Sequence, residues 1–234
     1  MSKLRVSEIF TSVQGEGGLV GVPSVFVRLS GCNLRCRWCD TPYASWNPEG
    51  PIQSVEDIFE KALESKVDHI VLTGGEPMIF DPIEELCGLF HEAKKHITIE
   101  TAGTVFREVR CDLMSISPKL AHSAPSASEH PAWAARHEET RKNLAPLKEL
   151  IQRYPFQLKF VVAPESLDQD LEEIETLLAE LGPISPSQVI LMPEGITEER
   201  LEQGMRAITP EAIRRNFRLS PRLHIHLFGN KRGT

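Results

Sequence analysis

Apolar positions along this chain switch repeatedly between a period of two and the helical period. Val25-Phe26-Val27-Arg28-Leu29 alternates and is rich in β-branched residues, which predicts a strand just after the glycine-dense turn Gln14-Gly15-Glu16-Gly17-Gly18. Further short strands are predicted at His69–Leu72, Ile97–Glu100, Leu113–Ser117, Leu158–Val162, Val189–Met192 and Leu223–Leu227. Helices are predicted between them. One opens at the capping box Ser54-Val55-Glu56-Asp57 and runs to about Glu64, one covers Pro82–His91, and one lies within Glu138–Arg153. A second capping box, Ser166-Leu167-Asp168-Gln169, precedes Leu171, Ile174, Leu177, Leu178 and Leu181 at helical spacing, and two more helices are expected at Glu198–Ala207 and Pro210–Asn216. About seven strands alternating with helices predict an α/β fold with a parallel sheet. Ala121–Ala135 has no clean period and reads as a mobile loop, either inert or a lid.

The polar positions sharpen this picture. By period two, Arg28, Thr98, Glu100, Ser115, Ser117 and Lys159 share the face opposite Val27, Leu29, Ile97, Ile99, Ile116, Leu158 and Phe160. A sheet covered by helices on both faces would not tolerate so many polar groups inside. A barrel with a wet lumen would, so a closed or partly closed parallel β/α barrel is expected rather than a doubly wound sheet, in a single domain of residues 1–234. Five strand ends stop in small or polar residues, at 73–77, 100–104, 117–120, 163–166 and 192–195. In α/β folds the loops after the carboxyl ends of the strands form the active site.

Composition excludes several classes. The 234 residues carry 26 Lys and Arg against 33 Asp and Glu, a net charge of −7, which gives no electrostatic footprint for nucleic acid or an anionic membrane. With 41% hydrophobic and 25% charged residues the chain reads as an ordinary soluble globule, and no apolar run approaches a membrane span. The opening MSKLRVSEIF lacks the apolar stretch of a secretory signal, so a cytoplasmic location is expected.

Three of the five cysteines fall within eight positions, as Cys32-Asn-Leu-Arg-Cys36-Arg-Trp-Cys39, on the loop after the first predicted strand. In a reducing compartment such a cluster points to metal binding or catalysis rather than disulfides. A loop of this length can wrap an iron–sulfur cubane with each thiol on a different iron, leaving the fourth iron open to an exogenous chelator. A zinc knuckle is the competing structural reading, and it lacks the usual second ligand pair, since Cys87 lies in a helix pattern and Cys111 is solitary. A redox pair made of Cys36 and Cys39 would leave Cys32 unexplained.

The CxxxCxxC spacing resembles that of the radical S-adenosyl-L-methionine (SAM) enzymes, and Thr73-Gly74-Gly75-Glu76-Pro77 resembles their GGE motif for the SAM amino group. Phe10–Gly17, Gly21-Val22-Pro23, Phe26–Cys32, Trp38-Cys39-Asp40-Thr41, Glu100–Thr104 and Ser117-Pro118-Lys119 together resemble the 7-carboxy-7-deazaguanine synthases from about Ile9 to Lys119. Beyond that the likeness thins, with Leu158–Val162 a shorter echo. The resemblance implies ring contraction of 6-carboxy-5,6,7,8-tetrahydropterin with loss of ammonia, toward queuosine and related 7-deazapurines. It also implies an incomplete, TIM-like parallel β/α barrel, a 4Fe-4S cluster, SAM, magnesium (Mg2+), a flavodoxin-like electron donor and a homodimer.

Residue by residue, the resemblance makes Cys32, Cys36 and Cys39 the cluster ligands and Thr41 the magnesium ligand, a hard oxygen donor suited to that ion. Trp38, Cys39, Asp40, Gly75, Ser117, Pro118 and Lys119 match SAM contacts. Val13, Gln14, Gly15, Arg28 and Thr73 match substrate contacts, with Glu16 a further candidate in the same loop. A guanidinium such as that of Arg28 suits a carboxylate through bidentate hydrogen bonds. His224 matches a C-terminal histidine at the substrate, but it alternates with His226 and a slip of two residues stays open. Met192–Gly195 aligns loosely with a turn beside SAM.

Each residue alone also has a structural reading: a tight turn for Gly15 and Gly17, an ion pair for Arg28, an ordinary strand end for 73–77, a core group for His224. Two other functions compete. One is a glycyl-radical-enzyme activase of similar fold, disfavoured by the loop Gln14–Gly17 and by Cys39-Asp40-Thr41. The other is a zinc-stabilised binding module without catalysis.

Overall fold

The computed structural model describes residues 2–234. Its centre is one nine-stranded sheet. The first strand, β1 (Lys3–Val13), forms an antiparallel hairpin with β2 (Pro23–Leu29), and the short β3 (Ile52–Ser54) lies antiparallel on the outer edge of β1. From β2 onward every pairing is parallel. The order runs through β4 (His69–Gly74), β5 (His96–Thr101), β6 (Leu113–Ile116), β7 (Phe156–Val162), β8 (Val189–Pro193) and the two-residue β9 (Arg218–Leu219). Because β9 pairs only with β8, the barrel is incomplete, as the family resemblance implies.

The strand β1 escapes period-two reading because its alternation is broken. Leu4 and Val6 are buried against the helices, but a bulge between Val6 and Glu8 shifts the register by one. Downstream, Glu8 pairs with Arg28 and Phe10 with Phe26, so both now face the lumen. The shift turns an acid and an aromatic ring into the barrel. A pattern that changes face midway looks like no pattern at all.

Helices cover the outer surface. They are α1 (Val55–Leu63), α2 (Ile83–Glu92), α3 (Pro131–Lys142), α4 (Ala145–Arg153), α5 (Leu167–Leu181), α6 (Glu198–Arg215) and α7 (Leu223–Phe228). At the first capping box the N-cap half forms, with the Ser54 hydroxyl accepting from the Asp57 N–H at 3.1 Å. The second does not, because the Ser166 hydroxyl donates instead to Asp170 at 3.0 Å. The helix expected within 138–153 is two helices, separated at Asn143, whose backbone is extended, with Pro146 in the first turn of α4. Conversely, the two helices expected across 198–216 are one, with Pro210 inside it on the exposed side, where the carbonyl that loses its partner can be solvated.

Two expectations about loops and strands are corrected. Leu223–Leu227 is a helix and not a strand: Pro221 blocks a ladder, the Leu223 N–H is taken by the Gly15 carbonyl at 2.9 Å, and the next turn closes on Arg222. The segment 121–135 is not a free loop. It holds a 3-10 turn at Ala121–Ser123 and the start of α3, Ser123 is fully buried, and the Ala121 N–H is tied to Glu173 at 2.8 Å.

The gap left by the open sheet is filled by the hairpin loop 14–22. It crosses to the far strands, where the Gly18 N–H bonds Gln157 on β7 at 2.8 Å and the Gly17 N–H bonds Ser220 just after β9 at 2.7 Å. This loop stoppers the barrel from its open side and carries the Gln14–Gly17 motif into the lumen. Among the described residues no helix is long and apolar enough to cross a membrane.

Candidate active site

A cavity of about 370 Å³ opens at the carboxyl end of the parallel strands. The three clustered cysteines line it, as do Val13, Gln14, Gly15 and Glu16 from the hairpin loop, Arg28 and Thr73 from the strands, and His224 from α7. Trp38, Asp40, Thr41, Gly75, Ser117 and Lys119 line it as well. Pro118 does not. It lies between two lining residues and turns the chain rather than contributing to the wall. Of the five polar strand ends, the one at 163–166 stays outside the cavity.

The polar lumen is built by register. Arg28 sits beside Thr73, and Glu100 beside Ser115, which in turn neighbours Gln157. The Thr73 hydroxyl donates to Glu100 at 2.8 Å, and the Gln157 amide donates to Ser115 at 2.8 Å. Below them Phe26, Val71, Thr98 and Leu113 close the floor in the same register. Arg28 donates from Nε to Glu8 at 2.8 Å, and Glu8 also accepts from the Tyr43 hydroxyl at 3.0 Å. Its two terminal nitrogens have no protein partner among the described residues.

At the rim lies a chain of buried charges. Glu16 is paired with both Lys159 and Arg222, the latter at 2.9 Å, and Arg222 also grips Asp40 and the Gly195 carbonyl. Burial alone would raise the Glu16 pKa, but the cations Lys159 and Arg222 outweigh it and hold the carboxyl well below its usual range. Asp40 is likewise lowered against its burial, chiefly by Arg222. His224 is pushed the other way, toward the neutral imidazole, by burial. Its ring lies so close to Gly15 that a β-carbon there would collide with it, which explains the glycine at that position.

The cysteine loop is held from all sides. The Gly31 N–H bonds the Ala44 carbonyl at 2.7 Å and the Gly31 carbonyl accepts the Glu76 N–H at 2.9 Å. A side chain at Gly75 would strike the Gly31 and Ala44 carbonyls, so the glycine serves this close approach. Glu76 itself is fully buried. Its carboxylate takes the Thr101 hydroxyl and the Ala102 N–H, each at 2.8 Å, and the Met78 N–H at 3.1 Å, tying the end of β5 to the loop after β4. Trp46 donates to the Cys36 carbonyl at 3.1 Å, and the Arg35 N–H is received by His137 Nδ1 at 3.2 Å.

All five cysteines are free thiols. Burial raises Cys32 to about 12 and Cys36 to about 11, so both carry protons that a metal centre would displace. Among the described residues no three His, Cys, Asp or Glu side chains are grouped closely enough to hold a single metal ion. Three free thiols spread over one loop beside a cavity do fit a cubane. Cys39 Sγ is 3.1 Å from the Ser45 hydroxyl and 3.8 Å from that of Thr41, so Thr41 lies beside the cysteine loop. Cys87 is fully buried in α2, and Cys111 packs against the same core.

Sequence reasoning missed Arg222, Tyr43, Ser45 and the tail residues Asn230, Lys231, Arg232 and Thr234, which also line the cavity. Arg222 and Tyr43 are placed by partners far along the chain, which no local pattern marks, and Ser45 meets Cys39 without a motif of its own.

The radical SAM superfamily model matches residues 26–176. A 7-carboxy-7-deazaguanine synthase of Rhodopirellula baltica is 49% identical over all of this chain and 90% of its own length. One from Halobacterium salinarum is 44% identical over 97% of this chain and 91% of its own. The crystal structure of QueE from Escherichia coli superposes with a TM-score of 0.62 at 27% identity, covering 93% of both chains. These likenesses set aside the activase and the zinc module. Together with the cysteine loop, the incomplete barrel and the polar lumen, they show that the chain belongs to the radical SAM superfamily and, within it, to the 7-carboxy-7-deazaguanine synthases.

Proposed function

We propose that this chain, as one catalytic domain of residues 1–234, converts 6-carboxy-5,6,7,8-tetrahydropterin to 7-carboxy-7-deazaguanine with loss of ammonia, a carbon–nitrogen lyase reaction on the route to queuosine and other 7-deazapurines. The observation that carries this reading is the placing of three free thiols and a polar, carboxylate-ready lumen on one cavity. A 4Fe-4S cluster on Cys32, Cys36 and Cys39 supplies, when bound, the single electron that cleaves SAM at the iron left open.

The chain's own groups do the rest. The uncommitted terminal nitrogens of Arg28 take the substrate carboxylate, while Nε keeps the side chain aligned on Glu8. Gln14 commits its amide N–H to Ser24 at 3.0 Å, which leaves its carbonyl to accept an N–H of the heterocycle. Glu16, held anionic by its two cations, accepts further N–H groups, and neutral His224 packs over Gly15 beside the flat ring. Thr73 is oriented by its bond to Glu100. Trp38, Asp40, Gly75 and the turn Ser117-Pro118-Lys119 form the SAM side, with Lys119 fixed on the Ser117 hydroxyl at 2.8 Å.

The same reading gives Thr41 to magnesium, a flavodoxin-like protein as electron donor, and a cytoplasmic homodimer as the working form. Anaerobic incubation of the reconstituted protein with SAM, reductant, Mg2+ and the carboxytetrahydropterin tests it. The expected result is 7-carboxy-7-deazaguanine with release of ammonia; SAM cleavage without that product contradicts it.

A further inference from the structure

Among the described residues three Lys and Arg residues are buried: Arg35, Lys159 and Arg222. Lys159 and Arg222 rest on carboxylates. Arg35 does not. It is 9% exposed, and among the described residues no carboxylate pairs with it. Its guanidinium donates to the carbonyls of Cys32 at 2.8 Å and Leu34 at 2.7 Å, and lies 4.0 Å from the ring centre of Trp133 and 5.9 Å from that of Trp46. The other ionisable groups that it senses are the three thiols Cys32, Cys36 and Cys39, and Arg136, a second cation on the Trp133 ring.

One terminal nitrogen donates to the two carbonyls and the aromatic ring of Trp133 covers the guanidinium, but none of these partners carries a negative charge. A buried, uncompensated charge is expensive, and arginine cannot shed it by losing a proton. The negative charge absent from the protein is the one that the cysteine loop is built to receive. Three thiolates outweigh the positive core of an iron–sulfur cluster, and one-electron reduction adds another negative charge in a place shielded from water. The net charge and surroundings of such a cluster set its potential.

Resting on the cluster assignment above, we propose that Arg35 is the fixed counter-charge of the cluster, a positioning and tuning residue that favours the reduced state. The two tryptophans hold it in place. Trp133 comes from α3, and Trp46 also bonds the Cys36 carbonyl, so the packing that fixes the loop fixes the cation with it.

The test uses the full chain, reconstituted anaerobically, as wild type, Arg35→Gln and Arg35→Lys. Iron and sulfide content and the reduced-cluster EPR signal are measured first, then the midpoint potential by EPR-monitored redox titration. A wild type without four irons per chain refutes the cluster assignment itself. Given the cluster, Arg35→Gln is expected to show at least about a tenfold lower ratio of reduced to oxidised cluster at a fixed potential, about 59 mV more negative for a one-electron couple. Arg35→Lys, which keeps the charge and loses the planar fork, is expected to stay within about threefold of wild type. An unchanged potential in Arg35→Gln, or a lysine variant as low as the glutamine one, overturns the proposal. If Arg35→Gln does not assemble a cluster, Arg35→Lys decides: restored iron content supports the charge, and loss in both variants assigns Arg35 to loop geometry alone and overturns the proposal.

Discussion

The guanidinium of Arg222 meets the carboxylate of Glu16 at 2.9 Å across 206 residues of sequence. With its remaining nitrogens Arg222 holds Asp40 and the Gly195 carbonyl, so one side chain joins the hairpin loop, the cysteine loop and the turn after β8. Arg222→Ala leaves two carboxylates without this partner. It should lower the unfolding free energy by about 3–5 kcal/mol in urea titrations at neutral pH. A loss under about 1 kcal/mol would mean that the network behaves as a solvent-screened surface pair.

His137 gives the fold a pH dependence with a defined sign. It is fully buried, and burial together with the Arg141 charge lowers its pKa from 6.5 to about 4. Neutral, it accepts the Arg35 N–H at Nδ1 and bonds Ser123 at Nε2, 3.0 Å away. The unfolded chain therefore binds this proton more readily than the folded one. The stabilisation is complete above pH 6.5 and is lost progressively as pH falls toward about 4. Wild type and His137→Asn, compared by denaturant unfolding across that range, should differ in slope, with the variant flatter. Parallel slopes would contradict the assignment.

Only three cysteines are expected to matter for iron. Replacing Cys32, Cys36 or Cys39 by Ala should abolish the iron–sulfur absorption after reconstitution, while Cys87→Ala and Cys111→Ala keep it. Cys87→Ala, in a site with no exposed surface, should instead cost stability, on the order of 1 kcal/mol. A cluster that needs Cys87 or Cys111 would contradict the open-iron arrangement.

Arg28 is both an ion-pair partner and a candidate carboxylate ligand. Arg28→Ala should weaken pterin binding by about 2–5 kcal/mol and leave SAM binding nearly unchanged, as read by calorimetry on the reconstituted protein. Equal loss for both ligands would assign Arg28 to the structural pair with Glu8 alone.

The lumen was legible in the sequence because strand periodicity places side chains without knowledge of the partner strand: Arg28, Glu100, Ser115 and Lys159 face the cavity as period two requires. The cysteine loop was legible because its spacing is local. The first strand was hidden by the bulge at Ser7, which reverses its faces midway. The helix at Leu223–Phe228 was hidden by an alternation of His with Leu and Ile that reads as a strand until the Gly15 carbonyl claims its first N–H. Arg222 was invisible because its partners Glu16, Asp40 and Gly195 lie in three segments distant in sequence. Local pattern reaches as far as one element, and the long-range pairs that close this site lie beyond it.

The central claim is that the cavity brings a radical generated beside the cysteine loop onto the pterin held by Arg28 and its neighbours. Substrate deuterated at the carbon bearing the carboxylate tests it most directly, followed by mass spectrometry of 5′-deoxyadenosine, SAM and product after anaerobic turnover. The expected result is deuterium in 5′-deoxyadenosine, and in SAM if it is re-formed. Normal product with the label released only to solvent would contradict direct abstraction in this cavity.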